Sequence, residues 1–253
     1  MGLRKYRMLK GKNAIITGAR RGIGKATVEV FAKNGANIWA CARKRDHTFE
    51  SDMESIAKVN GVQIWPVYFD MTNEAEVKQA IVAIRRQKMD IDILANIAGV
   101  VGEKASFPMS GIRNMKYVLE CNFFAVTLLT QYIVRLMIRQ NKGSIVFISS
   151  IAGLDGTPSQ YAYAASKAAL VGATKNLARE VAPNHIRVNA IAPGMINTDM
   201  GGEIEESLRQ EMLSKVILGR MGAPEEVANA IAFISSDMAS YITGQVVRVD
   251  GGV

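Results

Sequence analysis

One stretch of the chain brings together a hydroxyl, a phenol and an ammonium. Ser150 follows the apolar run Ile145-Val146-Phe147-Ile148, and Tyr163 and Lys167 stand four residues apart in the alanine-rich segment behind it. Four residues is one helical turn, so on a helix Tyr163 and Lys167 share a face. A free phenol has a pKa of about 10 and is a sluggish acid or base near neutral pH. A nearby cation favours phenolate, so the spacing predicts that the field of Lys167 lowers the Tyr163 pKa. Ser150 can hydrogen-bond a carbonyl or the alkoxide made from it. Together the three suit proton transfer coupled to hydride transfer, provided that a nicotinamide lies alongside.

To meet, these groups need a strand that ends at Ser150 and a helix that starts near Pro158 and runs on from Ser159. The rest of the chain reads as the frame for that junction. Asn13–Thr17 is a short strand, the turn Gly18-Ala-Arg20-Arg21-Gly22-Ile23-Gly24 follows, and Lys25–Asn34 is a helix stopped by Gly35. A glycine-rich turn between strand and helix brings backbone N–H groups up to a phosphate. Ala36–Ala42 is the second strand. An NAD enzyme of this plan places a carboxylate near its end for the ribose 2′-hydroxyl. Here Ala42 and Arg43 stand there, which suits a 2′-phosphate and hence NADP(H); a solvated basic loop is the other reading. Val62–Phe69 is a third strand, and Asp70 at its end either accepts from an adenine amino group or caps the helix that starts at Thr72-Asn-Glu and runs through Lys88.

Ile91–Ala95 is the fourth strand, with Asn96-Ile97-Ala98-Gly99 at its end; a long helix from about Ile112 to Gln140 carries Asn122. Ile186–Ile191 is the sixth strand, after which Pro193-Gly194 opens a loop to Thr198. From Gly201 to Gly219, Ile204, Leu208, Met212 and Val216 recur every four residues among charges, which predicts an amphipathic helix placed to cover the site. Met195, Met200, Met212 and Met221 around it suit an adaptable apolar pocket. Pro224–Ser235 is another helix and Gln245–Val249 a last strand. Strands and helices alternate throughout 253 residues, which predicts one doubly wound α/β domain with a parallel sheet.

Composition narrows the class. Hydrophobic residues make up 49% and charged ones 21%, ordinary for a soluble globular protein. No apolar run approaches the ~20 residues of a membrane span. Met1–Asn13 is basic without an apolar core, so it is not a secretory signal, and Tyr6 stands where myristoylation needs Ser or Thr. Cys41 and Cys121 read as buried thiols and not a disulfide, so a cytoplasmic address is expected. Much of the net charge of +8 is local. Arg4, Lys5, Arg7, Lys10 and Lys12 crowd a solvated tail, and Arg20, Arg21, Arg43, Lys44 and Arg45 lie in two loops able to meet over a phosphate. No aromatics interleave them, so nucleic acid is not an expected partner. With His47 and His185 the only histidines, no metal site is expected.

Thr17-Gly18-x-x-x-Gly22-Ile23-Gly24, Asp70, Asn96-x-Ala98-Gly99, Asn122, Ser150, Tyr163-x-x-x-Lys167 and Pro193-Gly194 with Thr198 stand in the order found in the short-chain dehydrogenase/reductase family, which the chain resembles over nearly its whole length. The resemblance implies a Rossmann-type seven-stranded sheet in the order 3-2-1-4-5-6-7, NAD(P) binding and a homotetramer. It implies Tyr163 as general acid/base, Lys167 on the nicotinamide ribose, Ser150 on the carbonyl and Asn122 on a proton-relay water. To the cofactor it assigns Gly18, Arg20, Arg21, Gly22, Ile23, Gly24, Arg43, Asp70, Met71, Asn96, Ala98, Gly99, Tyr163, Lys167, Pro193, Gly194, Ile196 and Thr198. Tyr161 lacks a lysine four residues on and is expected to line the pocket. Within the family, Ala239–Gly252 and Arg220-Met-Gly-x-Pro-Glu-Glu-Val are similar to bacterial 3-oxoacyl carrier-protein reductases. That implies an acyl-thioester carbonyl substrate and acyl carrier protein as a partner; a sugar, steroid or other small carbonyl is the alternative. Departures are Ile97 in the Asn-Asn-Ala-Gly motif, and Asn141 and Asn184 where such reductases often carry arginine. Arg139, Lys142 and His185 stand close by as substitutes.

Overall fold

The computed structural model describes residues 7–198, 210 and 213–253. Its centre is a sheet of seven parallel strands: β1 (Asn13–Thr17), β2 (Asn37–Ala42), β3 (Ile64–Tyr68), β4 (Ile93–Asn96), β5 (Gly143–Ile148), β6 (Ile186–Pro193) and β7 (Val246–Val249). Their order is β3-β2-β1-β4-β5-β6-β7, as the resemblance implies. Parallel strands are joined by helical crossovers, which cover both faces, so these strands read as near-continuous apolar runs. Successive side chains point to opposite faces. Ile16 packs with Val28 and Phe31 of α1 (Gly22–Lys33) and Val227 and Ile231 of α8 (Pro224–Ser235). Ile15 packs on the other side with Ile84 of α3 (Glu74–Arg86), Leu129 and Ile133 of α5 (Ala125–Gln140) and Leu170 of α7 (Tyr161–Val181). Chain direction along the sheet reverses between β1 and β4, the switch point at which such sheets open a crevice at their carboxyl ends.

Several elements depart from expectation. Gly22 to Gly24 belong to the first turn of α1, not to a loop before it. The expected long helix is three pieces: α4 (Ile112–Leu119), a π-helical turn (Glu120–Phe124) and α5. In that turn Ala125 N–H reaches back five residues to the Glu120 carbonyl. Among the described residues Ile112–Gln140 is also the one helical stretch long and apolar enough by composition to cross a membrane. Its apolar side chains Val126, Leu129, Ile133 and Met137 are core residues beneath the sheet.

Pro158 lies before the Tyr163 helix, outside its first turn, because Ser159 adopts a left-handed φ of 62° and the helix starts only at Tyr161. A short unpredicted helix, α6 (Ala152–Asp155), fills the gap. Of the expected Gly201–Gly219 helix, residues 201–209, 211 and 212 lie outside the described residues, as do Met200, Arg4 and Lys5. Helix ends by Ser214, and Ile217 N–H and Leu218 N–H then donate to the carbonyls of Gly252 (3.3 Å) and Gly251 (3.0 Å). Cys41 is buried in β2, Cys121 is partly exposed and both are free thiols.

Candidate active site

Ser150 is fixed by backbone before its side chain is used. Ser149 N–H donates to the Ile191 carbonyl (2.8 Å) and Ile151 N–H to that of Pro193 (3.0 Å), so the chain keeps tracking β6 past the end of β5. Ser150 Oγ accepts from Ala152 N–H at 3.2 Å, in the first turn of α6. Ser149 Oγ donates to the Lys167 carbonyl at 2.8 Å, which docks α7 on the same strand end. The Tyr163 phenol then faces the Ser150 hydroxyl.

Lys167 is 4% exposed. Its ammonium donates to the carbonyl of Ile148, the last residue of β5, at 2.8 Å and lies 5.6 Å from the centroid of the Tyr163 ring. Burial without a carboxylate partner pulls its pKa down to about 8. The expected lowering of the Tyr163 pKa is not found. Burial pushes that phenol above its ordinary range, and the facing Ser150 hydroxyl offsets only part of this. The ammonium sits over the ring face and donates to a carbonyl. A phenol held protonated at neutral pH is an acid ready to donate, which is what a nascent alkoxide needs.

Asn122 is fully buried in the π-helical turn. Its Oδ1 accepts from Val100 N–H (2.8 Å), while Nδ2 donates to the Val100 carbonyl (2.8 Å) and to Ser166 Oγ (2.9 Å). Ser166 in turn donates to the Tyr163 carbonyl at 2.7 Å. Asn122 thus clasps the segment that follows β4 and braces the helix that carries Tyr163. π-turns inside helices concentrate at functional sites. Gly99 lies between: a Cβ there would stand 3.1 Å from Asn122 Oδ1 and 3.3 Å from Lys167 Nζ.

The other end of the crevice has the form of a phosphate cradle. α1 begins at Arg21 in extended conformation with no side-chain cap, so its first N–H groups have no side-chain acceptor. Gly18, at φ 68°, brings the β1 turn against Ala98, where a Cβ would approach the Ala98 backbone to 3.0 Å. Thr17 Oγ accepts from Ile97 N–H (2.9 Å) and Ala98 N–H (3.1 Å), holding the two strand exits together. Thr198 lies against Gly22, within 3.3 Å of where its Cβ would be. Gly194 N–H donates to Val249 O at 3.0 Å.

Other assignments shift. Asp70 does not cap α3; Asn73 does, accepting from Ala75 N–H and Glu76 N–H. Asp70 closes the preceding turn, accepting from Thr72 N–H (2.9 Å) and Oγ (2.7 Å), and these bonds hold its carboxyl below the usual range. The Asn96 side chain turns away from the crevice to donate to Thr130 Oγ1 at 3.1 Å. Ile23 and Ile196 pack against one core layer and Met71 against the other. Arg20 is ion-paired to Asp46. Tyr161 is 53% exposed and meets the Phe107 ring edge-on at 4.8 Å. Lys142 is tied to Asp90 (2.9 Å) and Asp92 (3.3 Å), while Asn141 and His185 hold the left-handed turns that end α5 and the turn after α7.

Thr17, Asp46 and Ser166 do work that no assignment above gave them. Thr17 left a trace as the first residue of the glycine-turn motif and Ser166 by standing one turn after Tyr163; Asp46 left none.

Comparison with known proteins agrees with this geometry. Residues 18–253 match the family model described as enoyl-(acyl carrier protein) reductase. The chain is 40% identical over 245 residues to 3-oxoacyl-[acyl-carrier-protein] reductase FabG of Aquifex aeolicus, covering 97% of this chain and 98% of that protein. It is 37% identical over 244 residues to FabG of Escherichia coli, covering 96% and 98%. A crystal structure of a short-chain type dehydrogenase/reductase from Mycobacterium marinum superposes with a TM-score of 0.89 at 31% identity, covering 97% of this chain and 96% of that one. By sequence, by strand order and by the Ser150, Tyr163 and Lys167 cluster, the chain belongs to the short-chain dehydrogenase/reductase family of oxidoreductases.

Proposed function

We propose that the protein is an NADPH-dependent carbonyl reductase that converts a 3-oxoacyl thioester to the 3-hydroxyacyl product. The observation that carries this is that the Ser150 and Tyr163 hydroxyls face each other at the carboxyl edge of the sheet, with the Lys167 ammonium buried behind them. Two converging hydroxyls suit an oxygen that gains negative charge and then a proton. That favours C=O over C=C reduction and agrees with the names of the relatives more than with the description of the family model.

The uncapped α1 N-terminus and the close Gly18–Ala98 approach fit a dinucleotide pyrophosphate, and Arg21 and Arg43 fit a 2′-phosphate. When bound, the reduced nicotinamide supplies the hydride. The chain's own residues do the rest. Ser150 Oγ–H donates to the substrate carbonyl oxygen, and Tyr163 delivers its proton to that oxygen. Lys167 holds a positive charge beneath the phenol, where it favours the anion that Tyr163 becomes. Asn122 keeps one lone pair of Oδ1 for a water through which one proton returns to Tyr163 after turnover.

The remaining expectations belong to the same proposal: one Rossmann-type unit spanning the chain, a segment at about 195–219 covering the substrate, a cytoplasmic homotetramer, and acyl carrier protein as the carrier of the acyl group. Lys142, neutralised by Asp90 and Asp92, is a poor candidate for docking that carrier. The test is to present acetoacetyl thioesters and a panel of sugar, steroid and simple ketones with NADPH or NADH. Oxidation of NADPH fastest with the thioester is expected. Turnover with another ketone alone would replace the substrate assignment, and none with any carbonyl would end the reductase proposal.

A further inference from the structure

One ion pair joins the two basic loops at the open ends of β1 and β2. Arg20, in the turn after β1, places a guanidinium nitrogen on Asp46 Oδ2. Asp46 also caps α2 (His47–Asn60), its side chain accepting from Thr48 N–H at 3.0 Å. The Arg20 side chain is well exposed, whereas that of Asp46 is mostly covered, so the carboxylate is the fixed partner and the arginine the mobile one. Arg45, next door, is committed to Glu50 at 2.8 Å. Arg21 and Arg43 form no ion pair among the described residues. Each loop therefore offers one uncommitted arginine and one that is held by a carboxylate.

We propose that Asp46 sets how strongly this protein discriminates NADPH from NADH, as a counter-charge that holds Arg20 and competes with the 2′-phosphate for it. The inference rests on the NADPH reading above. A 2′-phosphate that recruits Arg20 must displace the carboxylate or lie beside it, and either costs binding free energy through like-charge repulsion or a broken pair. A bare ribose asks nothing of Arg20 and meets no such cost. Asp46 thus weakens NADPH binding selectively while keeping the two loops joined.

The two duties of Asp46 separate in one substitution. Asn caps a helix about as well as Asp but carries no charge, so Asp46→Asn keeps the α2 cap and frees Arg20. Asp46→Ser is a second neutral cap, should Asn disturb the loop. Binding is read by calorimetry with NADPH and NADH, and with adenosine 2′,5′-bisphosphate against adenosine 5′-monophosphate, which isolates the 2′-phosphate without turnover. Asp46→Asn is expected to tighten NADPH and the bisphosphate by about fivefold, the upper end of what an exposed ion pair is worth, leaving NADH and the monophosphate unchanged. Adding Arg20→Ala is expected to erase the gain.

Unchanged or weaker NADPH binding in both Asp46 variants would overturn the inference, since Asp46 would then orient Arg20 or merely cap α2. The NADPH reading fails separately. If wild type binds NADPH and NADH equally yet Asp46→Asn prefers NADPH, that reading falls and the counter-charge stands. If wild type prefers NADPH and the variants do not strengthen the preference, the reverse holds.

Discussion

The Lys167 ammonium lies 5.6 Å from the centroid of the Tyr163 ring and donates to the Ile148 carbonyl at 2.8 Å, with no carboxylate in reach to offset its burial. The protein therefore pays a stability cost for a charge it keeps at its site. Burial depresses the folded pKa from 10.5 to about 8. Between those values the unfolded chain holds the proton and the folded protein does not, so stability rises with pH across that window. Below about pH 8 both states hold it, and the folded state bears the full cost. Lys167→Met is expected to be more stable than wild type at pH 7 by about 2 kcal/mol, after allowing for the lost hydrogen bond. The advantage should shrink towards pH 10.5. Urea melts at both ends of the range check this; a gain independent of pH would mean that improved packing, not the charge, is responsible.

Tyr163→Phe removes the proton donor and leaves the ring. Turnover is expected to fall by about 10²–10⁴-fold while NADPH binds as before. Steady-state rates beside a binding titration decide it; a rate within about tenfold of wild type would remove Tyr163 from the role of acid.

Asn122→Ala strips the partners from Val100 N–H, the Val100 carbonyl and Ser166 Oγ at once. Buried groups left unpaired cost about 1–3 kcal/mol each, partly recovered where water enters. A loss of at least about 2 kcal/mol is expected, with faster hydrogen exchange at the Val100 amide. If exchange there is unaltered, the clasp is not what holds the segment that follows β4.

The alternation of strands and helices and the Ser150, Tyr163 and Lys167 cluster were legible in the sequence because each rests on a local pattern, whereas the strand order came with the family resemblance. Ile145–Ile148 is apolar because both faces of β5 are covered, and a four-residue spacing puts two side chains on one helix face. What escaped depends on contacts between distant segments. No residue type announces the five-residue backbone bond at Asn122, which tertiary clasping of Val100 stabilises. The Arg20–Asp46 pair exists only because the β1 and β2 loops meet. The sense of the Tyr163 shift follows from burial, which spacing alone cannot supply.

Assembly is exposed to a direct test. Ala165, Ala168 and Gly172 are exposed along one face of α7, and Tyr117 and Phe124 are exposed on the neighbouring α4–α5 column. Small residues in such a stripe allow a second copy to approach closely across a two-fold axis. Light scattering at micromolar concentration is expected to give a tetramer, and Ala168→Glu a smaller species. A monomeric wild type would contradict the tetramer.

Cofactor choice should be carried chiefly by Arg43. Ala42, buried at the end of β2, offers no carboxylate to a ribose 2′-hydroxyl, and Arg43 beside it is exposed and, among the described residues, unpaired. Arg20 starts from an ion pair with Asp46, so its net contribution is smaller. A charge-assisted contact from Arg43 to the 2′-phosphate is worth about 1.5–3 kcal/mol, enough for a preference of about tenfold or more for NADPH. Arg43→Ser should therefore cost NADPH affinity more than Arg20→Ala does, and Ala42→Asp with Arg43→Ser should swing preference towards NADH. Dissociation constants for both cofactors across these variants decide it. If Arg43→Ser weakens NADPH and NADH alike, the guanidinium serves the adenine end common to both, and selectivity must come from Arg21 in the glycine turn.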